Sequence, residues 1–170
     1  MAVFTTKTFQ KQDDWMTPKY AWENIAHLIP KDKKIWEPFY GDGKSGDYLR
    51  EVLGGDIEIV HKNEDFFKVN YPDTIVVSNP PFSLCKEVLT RMKELGNPFI
   101  MILPSSKINT QYFRNLYAEE DIQIIIPRKR IQFLKMEDGV VLENQKSQCA
   151  FDCFYYCWKI GLKKDIIWLD

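Results

Sequence analysis

The chain has 170 residues, of which 45% are hydrophobic, and its formal net charge at pH 7 is −1. This length and apolar content predict one globular domain with a real core, and no apolar run of about 18 residues is present to span a membrane. The first 14 residues lack the apolar region of a secretion signal, which predicts an intracellular protein. A nearly neutral charge excludes a uniformly basic surface, so any nucleic-acid contact has to come from local clusters of cations.

Strands and helices are predicted to alternate along the chain. Residues 1–14 are polar without a clear period and predict an N-terminal arm. Thr17 as a cap and Pro18 as the first helical residue predict a helix that Pro30 ends. The later predicted strands are 34–39, 57–60, 74–77 and 99–104, and the later predicted helices are 47–53, 83–95 and 110–118.

Two apolar runs, 122–126 and 150–160, close the chain, and the polar stretch 135–148 between them predicts a hairpin loop. The alternation predicts an α/β fold with a mostly parallel sheet, helices on both faces and an antiparallel strand from the last pair at one edge. Ligands of such sheets bind at the carboxyl ends of the strands near the topological switch point. Residues 41–46 and 79–82 are therefore expected in one crevice.

The segment Asn79-Pro80-Pro81-Phe82 ends the apolar run 74–77 and is the most informative part of the sequence. Each proline lacks a backbone donor and biases the preceding residue towards extended geometry, so the carbonyls of Asn79 and Pro80 face outward as fixed acceptors. An amide oxygen beside such a carbonyl can hold an exocyclic amine, and Phe82 offers a face for a planar ring. A turn that only follows a strand is the alternative interpretation.

The pattern Gly41-x-Gly43-x-x-Gly46 matches the dinucleotide-binding fingerprint, because it follows a predicted strand and precedes a predicted helix. Small residues at that point let a ligand approach the N–H groups at the start of a helix. Glu37 at the end of the strand suits a cationic methionine ammonium and would repel a pyrophosphate. The pattern therefore favours S-adenosylmethionine over NAD.

Several segments resemble the motifs of S-adenosylmethionine-dependent amino-methyltransferases. Residues 79–82 resemble their [Asn/Asp/Ser]-Pro-Pro-[Tyr/Phe] signature, and residues 37–43 resemble the Asp/Glu-Pro-Phe-x-Gly-x-Gly loop of the DNA-modifying members. Residues 14–18 are similar to the Asp/Glu-Trp-x-Thr-Pro element of small phage and large-DNA-virus adenine methyltransferases. Residues 65–67 look like an Asp-Phe-Phe that binds the cofactor adenine, and the tail pattern 130–133 before a hairpin is also similar.

The resemblance implies a single-domain, Rossmann-like class I methyltransferase with a seven-stranded sheet, and no separate target-recognition domain. It implies methyl transfer to N6 of adenine in DNA, with the base flipped into a pocket formed by Asn79, Pro80, Pro81 and Phe82. The implied cofactor is S-adenosyl-L-methionine. The residues expected to hold it are Trp15, Thr17, Pro18, Glu37, Pro38, Phe39, Gly41, Gly43, Asp65 and Phe66.

The ribose contact departs from the family pattern. An acidic residue commonly ends the second strand, whereas Val60 is here followed by His61. His61 can hydrogen-bond a ribose, Glu64 can reach back to it, or His61 is only a surface loop residue. His61 is retained as a candidate cofactor residue.

Short loops have to select the target DNA sequence, since no recognition domain is predicted. The candidate nucleic-acid contacts are the arm 1–14, the loop 135–148 and the side chains of Ser105, Lys107, Arg128, Lys129 and Arg130. The expected partner is DNA, and single-stranded DNA or RNA remains an alternative. A second copy of the chain in a homodimer, or a partner subunit, can also provide the residues that recognise the target sequence.

Three alternatives remain. RNA guanine-N2 or adenine-N6 methyltransferases and protein glutamine methyltransferases share the Asn-Pro-Pro-[Phe/Tyr] turn, but the Trp-x-Thr-Pro element favours DNA adenine. A non-catalytic subunit of a methyltransferase complex is opposed by the presence of Glu37, Asp65 and Asn79. A NAD-binding domain is the weakest alternative.

Cys149, Cys153 and Cys157 recur at intervals of four residues in a segment that is predicted to be a strand. Side chains four apart on a strand are separated by roughly 13 Å. That spacing is too wide for one metal with bonds of about 2.3 Å, so no metal site is predicted and the thiols are expected to be buried and reduced.

Overall fold

The computed structural model describes residues 15–137, 140–141 and 151–170. The arm 1–14 and Cys149 therefore lie outside the described residues. The described strands are β1 (Trp15–Met16), β2 (Lys34–Trp36), β3 (Ile59–Val60), β4 (Thr74–Ser78), β5 (Phe99–Pro104), β6 (Ile122–Ile126), β7 (Leu134–Glu137), β8 (Val140–Val141), β9 (Cys153–Trp158) and β10 (Ile166–Trp168). The described α-helices are α1 (Lys19–Glu23), α2 (Lys44–Leu53), α3 (Cys85–Leu95) and α4 (Gln111–Tyr117).

Seven of these strands form one sheet in the order β10-β6-β9-β5-β4-β2-β3. Strand β9 is antiparallel to both of its neighbours, β5 and β6, and the other pairs are parallel. All residues of β4 and β5 are buried, as expected of central strands covered on both faces. The predicted α/β fold, with its mostly parallel seven-stranded sheet and a C-terminal antiparallel pair, is confirmed.

The outermost strand on one side, β10, was not predicted from the sequence. It pairs in parallel with β6, so β9 lies one position further in, between β5 and β6. Three residues are too few to show a period, and β10 is only partly buried. Its existence depends on pairing with β6 rather than on a local pattern.

Helices cover both faces of the sheet. On one face, α1 and α2 bury Trp22 and Leu49 against β-strand residues such as Val77. On the other face, α3 and α4 bury Leu89 and Tyr117 against the alternate residues of the same strands. No helix in the described part of the chain is long and apolar enough to cross a membrane.

A second, three-stranded sheet has the order β1-β7-β8. Strand β1 runs antiparallel to β7, with Trp15 opposite Lys135 and Met16 opposite Leu134. The prediction of a loop over 135–148 is therefore wrong for the residues of β7 and β8, because β7 pairs both with β1, which is distant in sequence, and with β8, which is close to it. Residues 138–139 and 142–150 lie outside the described residues.

The first helix begins later than predicted. Pro18 is extended, with φ −70° and ψ 151°, and precedes α1 as its N-cap instead of being its first residue. No side chain caps α1, so the prediction that Thr17 does so is wrong. The helix ends at Glu23, and a short 3₁₀ turn follows at Ala26–Leu28.

Three of the four cysteines fall on described residues, and all three are buried: Cys85, Cys153 and Cys157. Burial raises the pKa of the Cys157 thiol to about 12, because the low-polarity interior disfavours a thiolate. Cys157 is therefore a protonated core side chain at neutral pH.

Candidate active site

The strand order reverses beside β2, because β3 lies on one side of it and β4 on the other. Parallel pairing sets Trp36 opposite Val76, so the chain leaves β2 at Glu37 next to the place where it leaves β4 at Asn79. A crevice between loops of this kind is where ligands bind in open parallel sheets.

A pocket opens at this switch point, and three separate segments line it. The loop after β2 and the turn after β4 share it, as the sequence predicted, and the residues of β1 and Thr17 complete it. Its lining residues are Trp15, Met16, Thr17, Glu37, Phe39, Tyr40, Gly41, Asp42, Ser45, Asn79, Pro80, Pro81 and Phe82.

The amide of Asn79 is fixed on one side and unsatisfied on the other. Its Nδ2 donates to Oγ1 of Thr17 over 2.9 Å, and Thr17 is itself buried. Its Oδ1 is buried and has no hydrogen-bond partner among the described residues. An unsatisfied buried acceptor costs about 1–3 kcal/mol, so such atoms in a native fold call for an explanation. The hydroxyl that was expected to cap a helix instead orients this amide.

Glu37 lies beneath the pocket and is 1% exposed. Its carboxyl accepts from the backbone N–H of Phe39 over 3.1 Å, from Oγ of Ser45 over 2.9 Å and from Oγ of Ser78. Burial raises the pKa of Glu37 to about 8, and these three donors only partly oppose the shift. A cation that enters the pocket would favour the ionised form.

The sequence did not identify Ser45 and Ser78 as site residues, although Ser45 lies within the glycine pattern 41–46 and Ser78 borders the segment 79–82. Ser45 follows Gly43 at the start of α2, and Ser78 directly precedes Asn79. The signal that could have identified them is the buried acid itself, since a carboxyl in the interior needs hydrogen-bond donors.

The ring of Phe82 is only partly exposed. It meets Phe133 at 84° and Phe151 at 73°, with centroid distances of 6.1 Å and 5.3 Å. These edge-to-face contacts fix the ring in orientation at the pocket wall. The sequence had suggested a more exposed aromatic.

The three glycines of the fingerprint have two different roles. Gly41 and Gly43 have φ of +58° and +84°, which few residues other than glycine adopt easily, and they turn the loop beside the pocket. Gly46 is required for packing, because a Cβ on it would lie 2.2 Å from Nδ1 of His61. The third glycine therefore makes room for His61.

His61 lies outside the set that lines the switch-point pocket. Its ring stacks on Tyr40 with centroids 4.9 Å apart, and its Nε2 is buried without a partner in the described structure. Burial lowers the pKa of His61, which keeps the ring neutral at pH 7. Glu64, the other candidate for the ribose, accepts a hydrogen bond from the hydroxyl of Tyr71 over 2.5 Å.

Asp65 and Phe66 also lie away from the pocket lining. Oδ1 of Asp65 accepts from the backbone N–H of Phe67 over 2.9 Å and so shapes the local turn. The ring of Phe66 is fully buried and packs on Trp36 and Phe39, with centroids 5.7 Å and 5.0 Å away. The aromatic beside it, Phe67, is the one that stays partly exposed. Of the other predicted cofactor residues, Pro18 and Pro38 are buried beside the pocket segments.

The predicted nucleic-acid residues lie at the same edge of the sheet as the pocket. Ser105 and Lys107 belong to the 3₁₀ turn Ser105–Asn109 that directly follows β5. Arg128 and Lys129 are exposed beyond the end of β6. Arg130 forms a bidentate ion pair with Asp152, at 2.8 Å and 3.2 Å, which lowers the pKa of that carboxyl.

Neither a protein-family model nor a curated protein matches the amino-acid sequence. Among solved structures, the chain is similar to a class I S-adenosylmethionine-dependent methyltransferase from Listeria monocytogenes, with a TM-score of 0.50 and 15% identity over 96% of this chain and 68% of that one. It also matches the M protein of the type I restriction enzyme EcoKI, with a TM-score of 0.47 and 13% identity over 90% of this chain and 45% of that one.

A third match is the 23S rRNA methyltransferase ErmE, with a TM-score of 0.41 and 16% identity over 57% of this chain and 50% of that one. The chain thus spans about half the length of the EcoKI and ErmE proteins. The likeness to the Listeria structure shows that the chain has the fold of class I S-adenosylmethionine-dependent methyltransferases, in agreement with its sheet order.

Proposed function

We propose that the protein transfers a methyl group from S-adenosyl-L-methionine to the exocyclic N6 amine of adenine in DNA. The observation that carries this proposal is the state of Asn79 in the pocket, where Nδ2 is held by Thr17 and Oδ1 is buried without a partner. A fixed, unsatisfied acceptor followed by two prolines is suited to a ligand that brings N–H donors.

The residues fit the cofactor at the methionine end. The buried carboxyl of Glu37 at the pocket is a group that a cationic ammonium would stabilise in its ionised form. His61, whose buried Nε2 has no partner in the described structure, is proposed for the ribose, and Asp65 is proposed for the adenine. S-adenosylmethionine supplies a methyl group bonded to a positively charged sulfur.

The protein's own groups orient the amine. Asn79 Oδ1 and the carbonyl of Pro80 accept the two N–H groups, which turns the nitrogen lone pair away from conjugation with the ring. The amine loses one proton to solvent as it gains the methyl group, so no strong base is needed. Catalysis depends on orientation and on fixed dipoles.

If the DNA is a duplex, the target base first has to be extruded from it; in either case the ring of Phe82 supports the base at the pocket wall. Ser105, Lys107, Arg128 and Lys129 are proposed to contact the DNA backbone from the same edge of the sheet. Any preference for a DNA sequence is proposed to arise from these short segments.

The test offers the protein three substrates. Purified protein is incubated with S-adenosylmethionine carrying a labelled methyl group and with adenine-containing DNA, RNA or protein, and the products are digested and analysed by mass spectrometry. We expect labelled N6-methyladenine from DNA. Label in RNA guanine or in a glutamine side chain would refute the DNA substrate, and no label in any arm, despite cofactor binding, would refute catalysis.

The matched control is an Asn79→Ala protein whose folding and cofactor binding are verified first. It should form labelled product at least about a hundredfold more slowly than the wild-type protein. Product formed at the wild-type rate would remove Asn79 from the mechanism.

A further inference from the structure

A groove separate from the switch-point pocket runs between the segment 127–132 and the end of β10. Tyr20 and His27 form its third side. The carboxyl ends of β6 and β10 open into it, so it lies at the same edge of the sheet as Glu37 and Asn79. The proposed function assigns no role to most of this groove.

Two aromatic rings of the groove face solvent. Trp168 is 72% exposed and Tyr20 is 39% exposed, whereas large apolar side chains elsewhere in the described chain are mostly buried. Trp168 is held on a paired strand, opposite Ile126, and the hydroxyl of Tyr20 accepts from the backbone N–H of Gln132 over 2.7 Å. Rings presented in this way are suited to stacking with a flat partner.

The groove also carries cations that the protein leaves uncompensated. Arg128 and Lys129 are exposed and form no ion pair within the described structure, whereas Arg130 is neutralised by Asp152. Asp170 lies at the rim and is the opposing charge. Two unpaired cations beside an exposed indole are complementary to a strand of phosphates and bases, since the cations attract phosphates and the indole can stack on a base.

The position of the groove connects it to the pocket. Tyr20 follows Thr17 by three residues, so the chain itself leads from the pocket wall to the groove. Four strand spacings separate β4 from β10, which is about 19 Å at roughly 4.8 Å per spacing. A stacked strand covers that distance with roughly six nucleotides at about 3.4 Å each.

We propose that this groove binds the single-stranded nucleic acid that flanks the target base, with one base stacked on Trp168 and phosphates held by Arg128 and Lys129. The proposal rests on the proposed function, since it assumes that the base in the pocket belongs to a nucleic acid. An unpaired strand is favoured because stacking on an exposed indole needs a free base face.

The test measures the affinity of fluorescently labelled single-stranded DNA by anisotropy at one fixed salt concentration. Trp168→Ala should weaken binding by about 5- to 150-fold, as expected for one lost stack. Trp168→Phe should retain most of the affinity, because it keeps a ring. The matched control is Ile166→Ala, which removes another exposed apolar side chain of β10 that lies outside the groove.

The cations are tested with a charge-matched pair of variants. Arg128→Ala with Lys129→Ala should weaken binding and flatten its salt dependence, whereas Lys163→Ala with Lys164→Ala, at the opposite edge of the sheet, should leave both unchanged. Affinity should rise as the strand on one side of the target adenine is lengthened and should level off at roughly six nucleotides.

Three results would contradict the proposal that this groove binds single-stranded nucleic acid. Unchanged affinity in Trp168→Ala would do so, as would Trp168-dependent binding to anionic lipid vesicles without binding to DNA. A wild-type dimer that Trp168→Ala converts to a monomer would identify this face as a subunit contact instead. If the wild-type protein binds DNA in a Trp168-dependent way but transfers no methyl group to it, the proposed function is refuted while nucleic-acid binding by the groove is supported.

Discussion

The switch-point pocket and the groove beside β10 differ in how far their polar groups are already bound within the protein. In the pocket, Thr17 holds Asn79, and two serines and a backbone amide hold Glu37, so one acceptor is left for a ligand. In the groove, Trp168 and two cations face solvent without partners in the described structure. Chemistry requires groups that are oriented in advance, whereas binding a flexible strand of variable sequence tolerates exposed ones.

The largest effect of a substitution on activity is expected in the switch-point pocket. Asn79→Ala should lower kcat by roughly 10²- to 10³-fold, as the loss of one preorganised catalytic hydrogen-bonding group typically does. Isothermal titration should show little change in cofactor affinity, and steady-state kinetics should show little change in KM. If Asn79→Ala loses cofactor affinity but keeps its kcat, Asn79 binds the cofactor and not the substrate amine.

Thr17 is expected to act through Asn79 as a positioning residue. Thr17→Val keeps the shape of the side chain but removes the acceptor of Asn79 Nδ2, so the amide can rotate. We expect kcat to fall by about 5- to 150-fold, which corresponds to roughly 1–3 kcal/mol for an unsatisfied buried group. Thr17→Ser, which restores the hydroxyl, should recover most of the rate.

A purely structural role for Thr17 predicts a different pattern. Both variants would then alter the melting temperature and leave kcat per folded molecule unchanged. Steady-state kinetics on protein of verified folded fraction separate the two cases.

The alternation of strands and helices and the two loops at the pocket could be predicted from the sequence, because apolar runs and prolines act locally. The bond between Thr17 and Asn79 could not be predicted, since local rules assign a threonine before Pro18 to a helix cap. Strand β7 was missed for a similar reason, because one of its two partners, β1, is distant in sequence. Burial of Phe66 was also missed, since a motif gives a residue type but not which neighbouring aromatic faces the interior.

The raised pKa of Glu37 makes cofactor binding in the switch-point pocket dependent on pH. Its carboxyl is largely protonated below a pKa of about 8, and a cationic ammonium in the pocket favours the carboxylate. Cofactor binding at pH 7 should therefore release close to one proton, measured by calorimetry in buffers of different ionisation enthalpy. Glu37→Gln should release close to none, and equal proton release in both proteins would place the ammonium elsewhere.

The raised pKa of Glu37 also determines how the free energy of unfolding changes with pH. Because the pKa is raised on folding, the folded protein binds this proton more tightly than the unfolded chain, whose glutamate titrates near about 4.3. The free energy of unfolding without ligand should fall as the pH rises from about 4.3 towards about 8. Glu37→Gln should lack that component in urea titrations across this range.

The smallest effect is expected in the groove. Asp152→Asn removes the carboxylate that neutralises Arg130 and so adds an available cation. Affinity for single-stranded DNA should increase by less than tenfold at low salt, and the gain should disappear at high salt. Anisotropy titrations at two salt concentrations measure it, and a decrease in affinity would show that the ion pair shapes the groove.

The proposed reaction depends most directly on one atom, Oδ1 of Asn79. A crystal structure of the protein with a non-reactive cofactor analogue and an adenine-containing oligonucleotide tests it directly. We predict that adenine N6 lies about 2.7–3.2 Å from Oδ1 and that the hydrogen bond from Nδ2 to Thr17 is retained. An adenine amine bound elsewhere, or an Asn79 amide whose oxygen faces Thr17, would contradict it.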